Sequence, residues 1–340
     1  MLPDALGGLQ ASIEPWIMGM GAVAWILLLL MLARRIWVAF RARAEQDIDG
    51  RWVVVTGCDS GFGHGVVESL VARNARVIAF CFTAEGAQAA RQLGAQHAPC
   101  LDLKDEQAVI GAAKEVSEQC GGELWGLVHC AGVALPGFAD YQPISFYRET
   151  MDLNFFAVVL LTQKLLPCVR KTQGRIVLVS SVDGLVSLPG NAPYDASKFA
   201  VEAYADALRA ELSFWQVSVS VINPSTMRTP MSMSFFEGHR KTWLTMEQED
   251  PIGEWKSAWP REWLDKYIAL NTGQLDKIAQ DPKHAIRDIL HALVATRPRL
   301  RYLSGTAAKT LFYALWIGPE SWSLRFKRVM IQPPPPVERL

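Results

Sequence analysis

Residues 52–63 read WVVVTGCDSGFG, an apolar, β-branched run that breaks into a glycine-rich string and opens a helical segment. Val53, Val54 and Val55 suit a buried strand, and helical periodicity takes over across 62–73. Strand before and helix after is the setting a dinucleotide-binding loop requires. Gly57, Gly61 and Gly63 permit a tight turn and a close backbone approach, and the helix N-terminus beyond offers unpaired N–H groups to a pyrophosphate. Asp59, Ser60 and Phe62 complete the string as candidate cofactor contacts.

The same alternation recurs outward from this stretch. RVIAF (76–80), LWGLVHC (124–130), RIVLVSS (175–181), VSVSVIN (217–223) and RLRYLSG (299–305) read as strands, with helical patterns at 105–119, 194–214 and 284–295. Strands alternating with helices predict an α/β fold, a Rossmann-like doubly wound parallel sheet forming a single domain over 50–305. No period of 20–50 residues recurs, which excludes a solenoid. The segment 227–275 breaks the rhythm; Met227–Tyr267 holds four Met, two Phe and four Trp (243, 255, 259, 263). A stretch so apolar and so poor in strand or helix period suits an adaptable lid over a flat lipophilic molecule. The competing reading is that these side chains pack on the sheet or touch a bilayer. Arg228, Arg240 and Arg261 keep open a clamp for a small hydroxyacid.

The 340 residues carry 34 basic and 34 acidic side chains, and half are apolar. That composition excludes a disordered chain, and the lack of basic excess argues against nucleic acid as a partner. Six cysteines without a CxxC pair or finger-like spacing predict neither a disulfide framework nor a metal site, but free thiols in a reducing compartment. Residues 15–33 run uncharged as PWIMGMGAVAWILLLLMLA, long enough as a helix to cross a hydrocarbon core of about 30 Å. The basic cluster Arg34, Arg35, Arg41 and Arg43 follows the run, where a signal peptide would carry its charge before it. The segment 1–44 is therefore expected to be a single-pass anchor and basic flank, with the rest of the chain cytosolic. LFYALWI (311–317) and LRFKR (324–328), within a C-terminal segment 306–340 that ends in the proline run 333–336, are expected to lie at the membrane interface.

A second motif is Tyr194-Asp195-Ala196-Ser197-Lys198. A spacing of four puts Tyr194 and Lys198 on one helix face, where a cation lowers a phenol's pKa and makes it a base for an alcohol proton. Ser181 ends a strand 13 residues upstream, and Asn154 stands in MDLNFF.

Taken together, TGCDSGFG, LWGLVHCAG, LNFF, GRIVLVSS, YDASK and INPSTMRT, in this order, resemble the short-chain dehydrogenase/reductase family over roughly 50–305. TGCDSGFG and LWGLV, with DKYI (265–268) and TRPRLRY (296–302), are similar to its membrane-anchored retinol and hydroxysteroid dehydrogenase branch, most of all the type 2 hydroxysteroid dehydrogenases. The resemblance implies an oxidoreductase acting on a steroid or retinoid at the endoplasmic reticulum membrane, with a catalytic set of Asn154, Ser181, Tyr194 and Lys198 and room for a homodimer. In that set Tyr194 moves the hydroxyl proton, Ser181 binds the reacting oxygen, Lys198 holds the phenolate and the ribose, and Asn154 positions a water. It further implies cofactor contacts at Asp102 after a third strand (CLDL), at Ala131 and Gly132, and at Thr229 near the carboxamide. Two positions depart from the family pattern: His129-Cys130 replaces a pair of asparagines, the second expected to brace the sheet, and Ser225 replaces the glycine after Pro224. With no cation between Phe80 and Ala90 and Ser60 in the loop, NAD is expected rather than NADP. The alternatives are a hydroxybutyrate-type dehydrogenase and a catalytically weak dinucleotide-binding scaffold.

Overall fold

The computed structural model describes residues 25, 26, 29–31, 33 and 44–331. The anchor expected at 15–33 lies mostly outside the described residues, and the proline run at 333–336 wholly so. Six strands, β1 (Trp52–Thr56), β2 (Arg76–Phe80), β3 (Leu124–His129), β4 (Arg175–Val179), β5 (Ser218–Pro224) and β6 (Arg301–Ser304), form one sheet in the order β2-β1-β3-β4-β5-β6. Every pairing is parallel, with Val53 beside Val77 and Thr56 beside His129.

The valine runs are continuous because both sheet faces are covered. Val53, Val55 and Val77 pack with α1 (Gly61–Val71), α2 (Ala84–Leu93) and α8 (Lys283–Val294). Val54, Ile78 and Leu127 point the other way, into α3 (Glu106–Gln119), α4 (Ile144–Lys171) and α5 (Ala192–Leu212). The chain leaves β1 for β2 on one side and returns to β3 on the other, so a crevice opens at the C-terminal ends of β1 and β3. Among the described residues α4 is long and apolar enough to span a membrane. Its Leu161, Leu165 and Val169 are buried on the sheet, which makes it a core helix.

Two expectations need correction. The CLDL stretch is not a strand: residues 97 and 100 touch the β2 edge only through isolated bridges. Pro99 has no N–H to continue a ladder there. The segment 227–275 is helical rather than irregular, with α6 (Phe235–Glu249) and α7 (Arg261–Ile278) as its main elements. Trp263 and Tyr267, four apart on α7, share a face, and with Trp255 and Trp259 just before that helix they build a core of their own around Phe138 and Tyr141. Phe138 stacks on Trp259 with centroids 4.4 Å apart, and Trp263 on Tyr267 at 5.3 Å. Separately, residues 44–46 and 295–297 make a small unit, where Glu45 pairs antiparallel with Ala295 and Thr296 N–H donates to the Ala44 carbonyl at 2.9 Å.

Candidate active site

The crevice is a cleft of about 640 Å³. One end is the glycine string. Gly57 turns with φ +70°, and a Cβ there would meet Ala131 Cα at 2.7 Å; a Cβ on Gly63 would strike the Gly57 carbonyl. The loop thus closes against β3 only because both positions lack side chains. Ser60, in extended conformation, precedes α1 without a side-chain cap, and Ser60, Gly61, Phe62 and Gly63 all line the cleft. The resulting cradle of backbone at a helix N-terminus fits a dinucleotide's pyrophosphate. The bracing expected of the missing asparagine is supplied by Thr56, whose hydroxyl accepts the N–H groups of Cys130 and Ala131 at 3.2 and 3.1 Å. His129 is buried against Thr162 at 3.0 Å, and burial lowers its pKa to about 3.

Asp59 ties the loop to the end of β2. Its carboxylate accepts from Phe82 N, Thr83 N and the Thr83 hydroxyl, each at 2.8 Å. Burial works to raise its pKa, yet these hydrogen bonds prevail and hold it below the ordinary carboxylate value. Asp102 lines the same end, as does Lys104, whose Nζ lies 3.3 Å from Glu149. Ala131, Gly132 and Thr229 line the middle; Thr229 caps the one-turn helix Pro230–Met233 and stands beside Gly61. Ser225 fits its position without strain. Its φ is not positive, its N–H donates to the Ser304 carbonyl at 3.0 Å, and its hydroxyl donates to that same carbonyl at 3.3 Å.

The four expected catalytic residues come from three elements. Tyr194 and Lys198 lie one turn apart on α5, with Nζ 5.3 Å from the phenol ring centroid. Lys198 Nζ donates to the Val179 carbonyl at the end of β4 at 2.9 Å. Ser181 follows β4 and lines the cleft together with Tyr194. Asn154 sits in a π-helical turn inside α4. Such a turn inserts an extra residue and re-aims side chains. Here it turns the amide onto Val133, accepting from its N–H at 2.8 Å and donating to its carbonyl at 2.9 Å, while Nδ2 also donates to Ser197 Oγ at 2.9 Å. Both amide hydrogens are therefore engaged by protein. The side chain thus braces α4 and α5 against residues 131–133.

The electrostatics differ from the spacing argument. Burial raises the Tyr194 pKa above its ordinary value; the Asp183 carboxylate adds to the rise, and the Ser181 hydroxyl opposes it. Burial also lowers Lys198 to about 8, against the pull of Cys130, Glu202 and Asp183. The expected depression of the phenol is absent because enclosure penalises phenolate and ammonium alike, and the ammonium is directed at a carbonyl. Burial pushes the Cys130 thiol up to about 12, so it is a neutral packing group. Beyond these four, the cleft is walled by Phe235, Phe236, Met231, Leu275 and Phe312. None of the three arginines weighed as a clamp lines it: Arg228 pairs with Asp276, Arg240 with Asp265, and Arg261 lies over Trp243. Two polar residues that the motifs did not flag, Asp183 and Asn191, do line it.

A family model for short chain dehydrogenases matches residues 51–240, the stretch that holds the cradle and all four of these side chains. The chain belongs to the short-chain dehydrogenase family. This dehydrogenase is 33% identical to mouse retinol dehydrogenase 7 over 298 residues, covering 85% of this chain and 92% of that protein. It is 36% identical to bovine 17-beta-hydroxysteroid dehydrogenase type 6 over 290 residues, covering 83% and 89%. These relatives place the dehydrogenase in the retinol and hydroxysteroid branch. Among solved structures, a short-chain dehydrogenase from Streptomyces avermitilis superposes with a TM-score of 0.64 at 24% identity, over 82% of this chain and 97% of that one. One from Burkholderia cenocepacia in complex with NADP gives 0.62 at 20%, over 85% and 100%. At such identity these two establish the fold.

Proposed function

We propose that this dehydrogenase interconverts a hydroxyl and a carbonyl on a steroid or retinoid, with NAD as its cofactor and Asn154, Ser181, Tyr194 and Lys198 as its working residues. The observation that carries this reading is one apolar-walled cleft in which Tyr194, Ser181 and Lys198 meet beside the glycine cradle. Gly57, Ser60, Gly61, Phe62 and Gly63 would hold the pyrophosphate, Asp102 the adenine end, and Ala131, Gly132 and Thr229 the nicotinamide half. Bound there, a nicotinamide dinucleotide accepts the carbinol hydride in oxidation and returns it in reduction. Ser181 and Tyr194 hold the substrate oxygen between two hydroxyls. In oxidation Tyr194 Oη, as the phenolate that Lys198 stabilises, takes the hydroxyl proton and becomes the phenol; in reduction the phenol gives that proton back. Asn154 keeps residues 131–133 and α5 in register around Lys198.

NAD is favoured by Asp59. An ionised carboxylate fixed beside the end of β2 repels a 2′-phosphate, and Lys104, the cation on that side, is paired with Glu149. A lipophilic substrate agrees with the membrane reading of the C-terminal segment. Phe312 and Leu315 pack on Val182, Leu185 and Val186 beside the site, while Ile317, Trp322, Leu324 and Val329 remain exposed among basic residues. That two-sided pattern suits a segment resting on the cytosolic leaflet of the endoplasmic reticulum, with residues 15–33 as the anchor. The hydroxyacid alternative loses its arginine clamp, and the scaffold alternative loses its motive, because Cys130 and Ser225 disturb neither strand.

The test is Tyr194→Phe, which keeps the ring and removes the titrating oxygen. Turnover of steroid and retinol substrates should vanish while NADH binding, read by fluorescence, stays near wild type. A variant keeping even about a tenth of the activity, 1.4 kcal/mol or less of lost transition-state stabilisation, would remove Tyr194 from the mechanism.

A further inference from the structure

One side of α7 faces the cleft. Tyr267, Asn271, Leu275 and Ile278 follow one another at helical spacing, so they share that side, and all four line the cavity. The wall around them is apolar, made by Met231, Phe235, Phe236 and Phe312. Against it stand the Tyr267 hydroxyl and the Asn271 carboxamide, and the protein holds both in place. The Tyr267 ring stacks on Trp263 at 5.3 Å and is met by Phe138 and His239 at 5.4 Å and by Phe236 at 5.8 Å. Asn271 Nδ2 donates to the Tyr267 carbonyl one turn back at 2.8 Å, which sets the amide beside the phenol. Among the described residues neither Tyr267 Oη nor Asn271 Oδ1 has a hydrogen-bond partner, and neither is sealed from solvent as the Tyr141 hydroxyl is. Asn271 is half-buried, and one of its amide hydrogens is also uncommitted. Burial raises the Tyr267 pKa to about 12, so its hydroxyl stays a donor near neutral pH. Ser181, Tyr194 and Lys198 belong to other elements, and among the described residues no hydrogen bond or ring contact joins them to this pair.

We propose that Tyr267 and Asn271 form a specificity-determining station on the lid, which binds a second oxygen of the substrate carried apart from the carbon that reacts. The preferred substrate is then a steroid with oxygen functions at two places on its frame, rather than a retinoid or a steroid mono-ol. This rests on the lipophilic alcohol reading above and narrows it. A carbonyl oxygen there takes the phenol O–H and the free amide hydrogen, whereas a hydroxyl donates to Asn271 Oδ1. A compound with one oxygen brings only carbon to the station, stripping water from two polar groups and giving nothing back. A few fixed polar groups in an apolar wall orient a ligand, and a site built to bond a substrate oxygen discriminates against the analogue that lacks it.

The experiment uses the full-length enzyme with NAD(H) bound and four compounds. These are an androstane alcohol with its one hydroxyl on the first ring, another with it on the last ring, the androstane hydroxyketone oxygenated on both, and retinol. Affinity is read by quenching of tryptophan fluorescence, so the ratios are defined whether or not a compound is turned over; kcat/KM is measured alongside. In the wild type the hydroxyketone should be favoured at least about tenfold over each of the others. Tyr267→Phe, which keeps the ring in its aromatic core, should close most of that gap by weakening the hydroxyketone and improving the mono-ols, and Asn271→Leu should act in the same direction. NADH affinity, set at the glycine cradle, reports that each variant is folded. Equal affinities in the wild type, a preference for retinol, or a hydroxyketone preference that both variants leave unchanged overturns the assignment. Turnover of none of the four, with the hydroxyketone still preferred in binding, would instead count against the oxidoreductase reading while leaving the station in place.

Discussion

Tyr194 and Lys198 show how a motif fixes neighbours but not their charge. The spacing of four sets the pair on one face, while the depth at which α5 lies decides that both prefer to be neutral. For oxidation the pair must have lost one proton, so kcat/KM should climb with pH and level off near 8, where Lys198 titrates. Lys198→Arg, which keeps the charge with a pKa above about 12, should push that inflection out of the measurable range; an unchanged profile would detach Lys198 from it. Asp195 gives a second pH effect. It is buried 3% exposed, and burial raises its pKa, with Asp183 adding to the rise. A carboxyl whose folded pKa lies above its unfolded value of about 3.9 contributes stability fully below that value and loses it as pH rises through the folded pKa. Stability should therefore fall as pH climbs from about 4, and Asp195→Asn should flatten the slope, as read by Tm against pH. At the end of β2, Thr83 caps α2 by accepting from Gly86 N–H at 3.0 Å. Phe82, 64% exposed, is thus the better place for a cation. Wild type should use NAD at least about tenfold better than NADP, a gap of 1.4 kcal/mol, and Phe82→Arg should narrow it in steady-state kinetics.

Among elements, the lid is the one whose nature the sequence pattern misjudged. Its tryptophans pack on one another and on Phe138 from outside the lid, so α6 and α7 are held by an aromatic core separate from the sheet. Truncating Phe138 to Ala should cost about 3 kcal/mol and raise KM for lipophilic substrates while NADH affinity stays the same. Equal losses in both affinities would mean that lid and cradle unfold together. A second junction joins α5, β5 and β6. Asn223 Nδ2 donates to Glu202 at 2.6 Å, and Arg301 bridges Glu202 and Asn223 Oδ1, the latter at 3.0 Å. Arg301→Leu leaves Glu202 buried without its cation and should lower stability by about 3 kcal/mol in urea melts.

For the whole molecule the question is how a cleft for a lipophilic compound meets its substrate. Compounds of that kind partition into bilayers, and the exposed Ile317, Trp322 and Leu324 flank the segment that packs beside the site. On sealed microsomes, external protease should destroy the catalytic unit, and vesicles should retain less protein after Trp322→Ser and Leu324→Ser are combined with loss of residues 1–43. Full protection of the catalytic unit would place it on the lumenal side and overturn the cytosolic reading.

The parallel sheet, four of its helices and the meeting of Tyr194 with Lys198 on one helix were legible in the chain because each rests on local signals. Buried valine runs are contiguous in sequence, helical periods are short, and glycines mark the turns that only they can make. The CLDL stretch is a strand only by resemblance; Pro99 offers no N–H to the β2 edge, so the ladder there stays broken. The lid's aromatic core and the brace at Thr56 depend on partners far away in sequence. The charge states of Tyr194 and Lys198 depend on how much protein surrounds them, and the meeting of Asp183 with Asn191 beside Ser181 depends on a loop closing on itself. Enclosure and long-range contact are properties of the packed chain, and they are what only the tertiary structure decided.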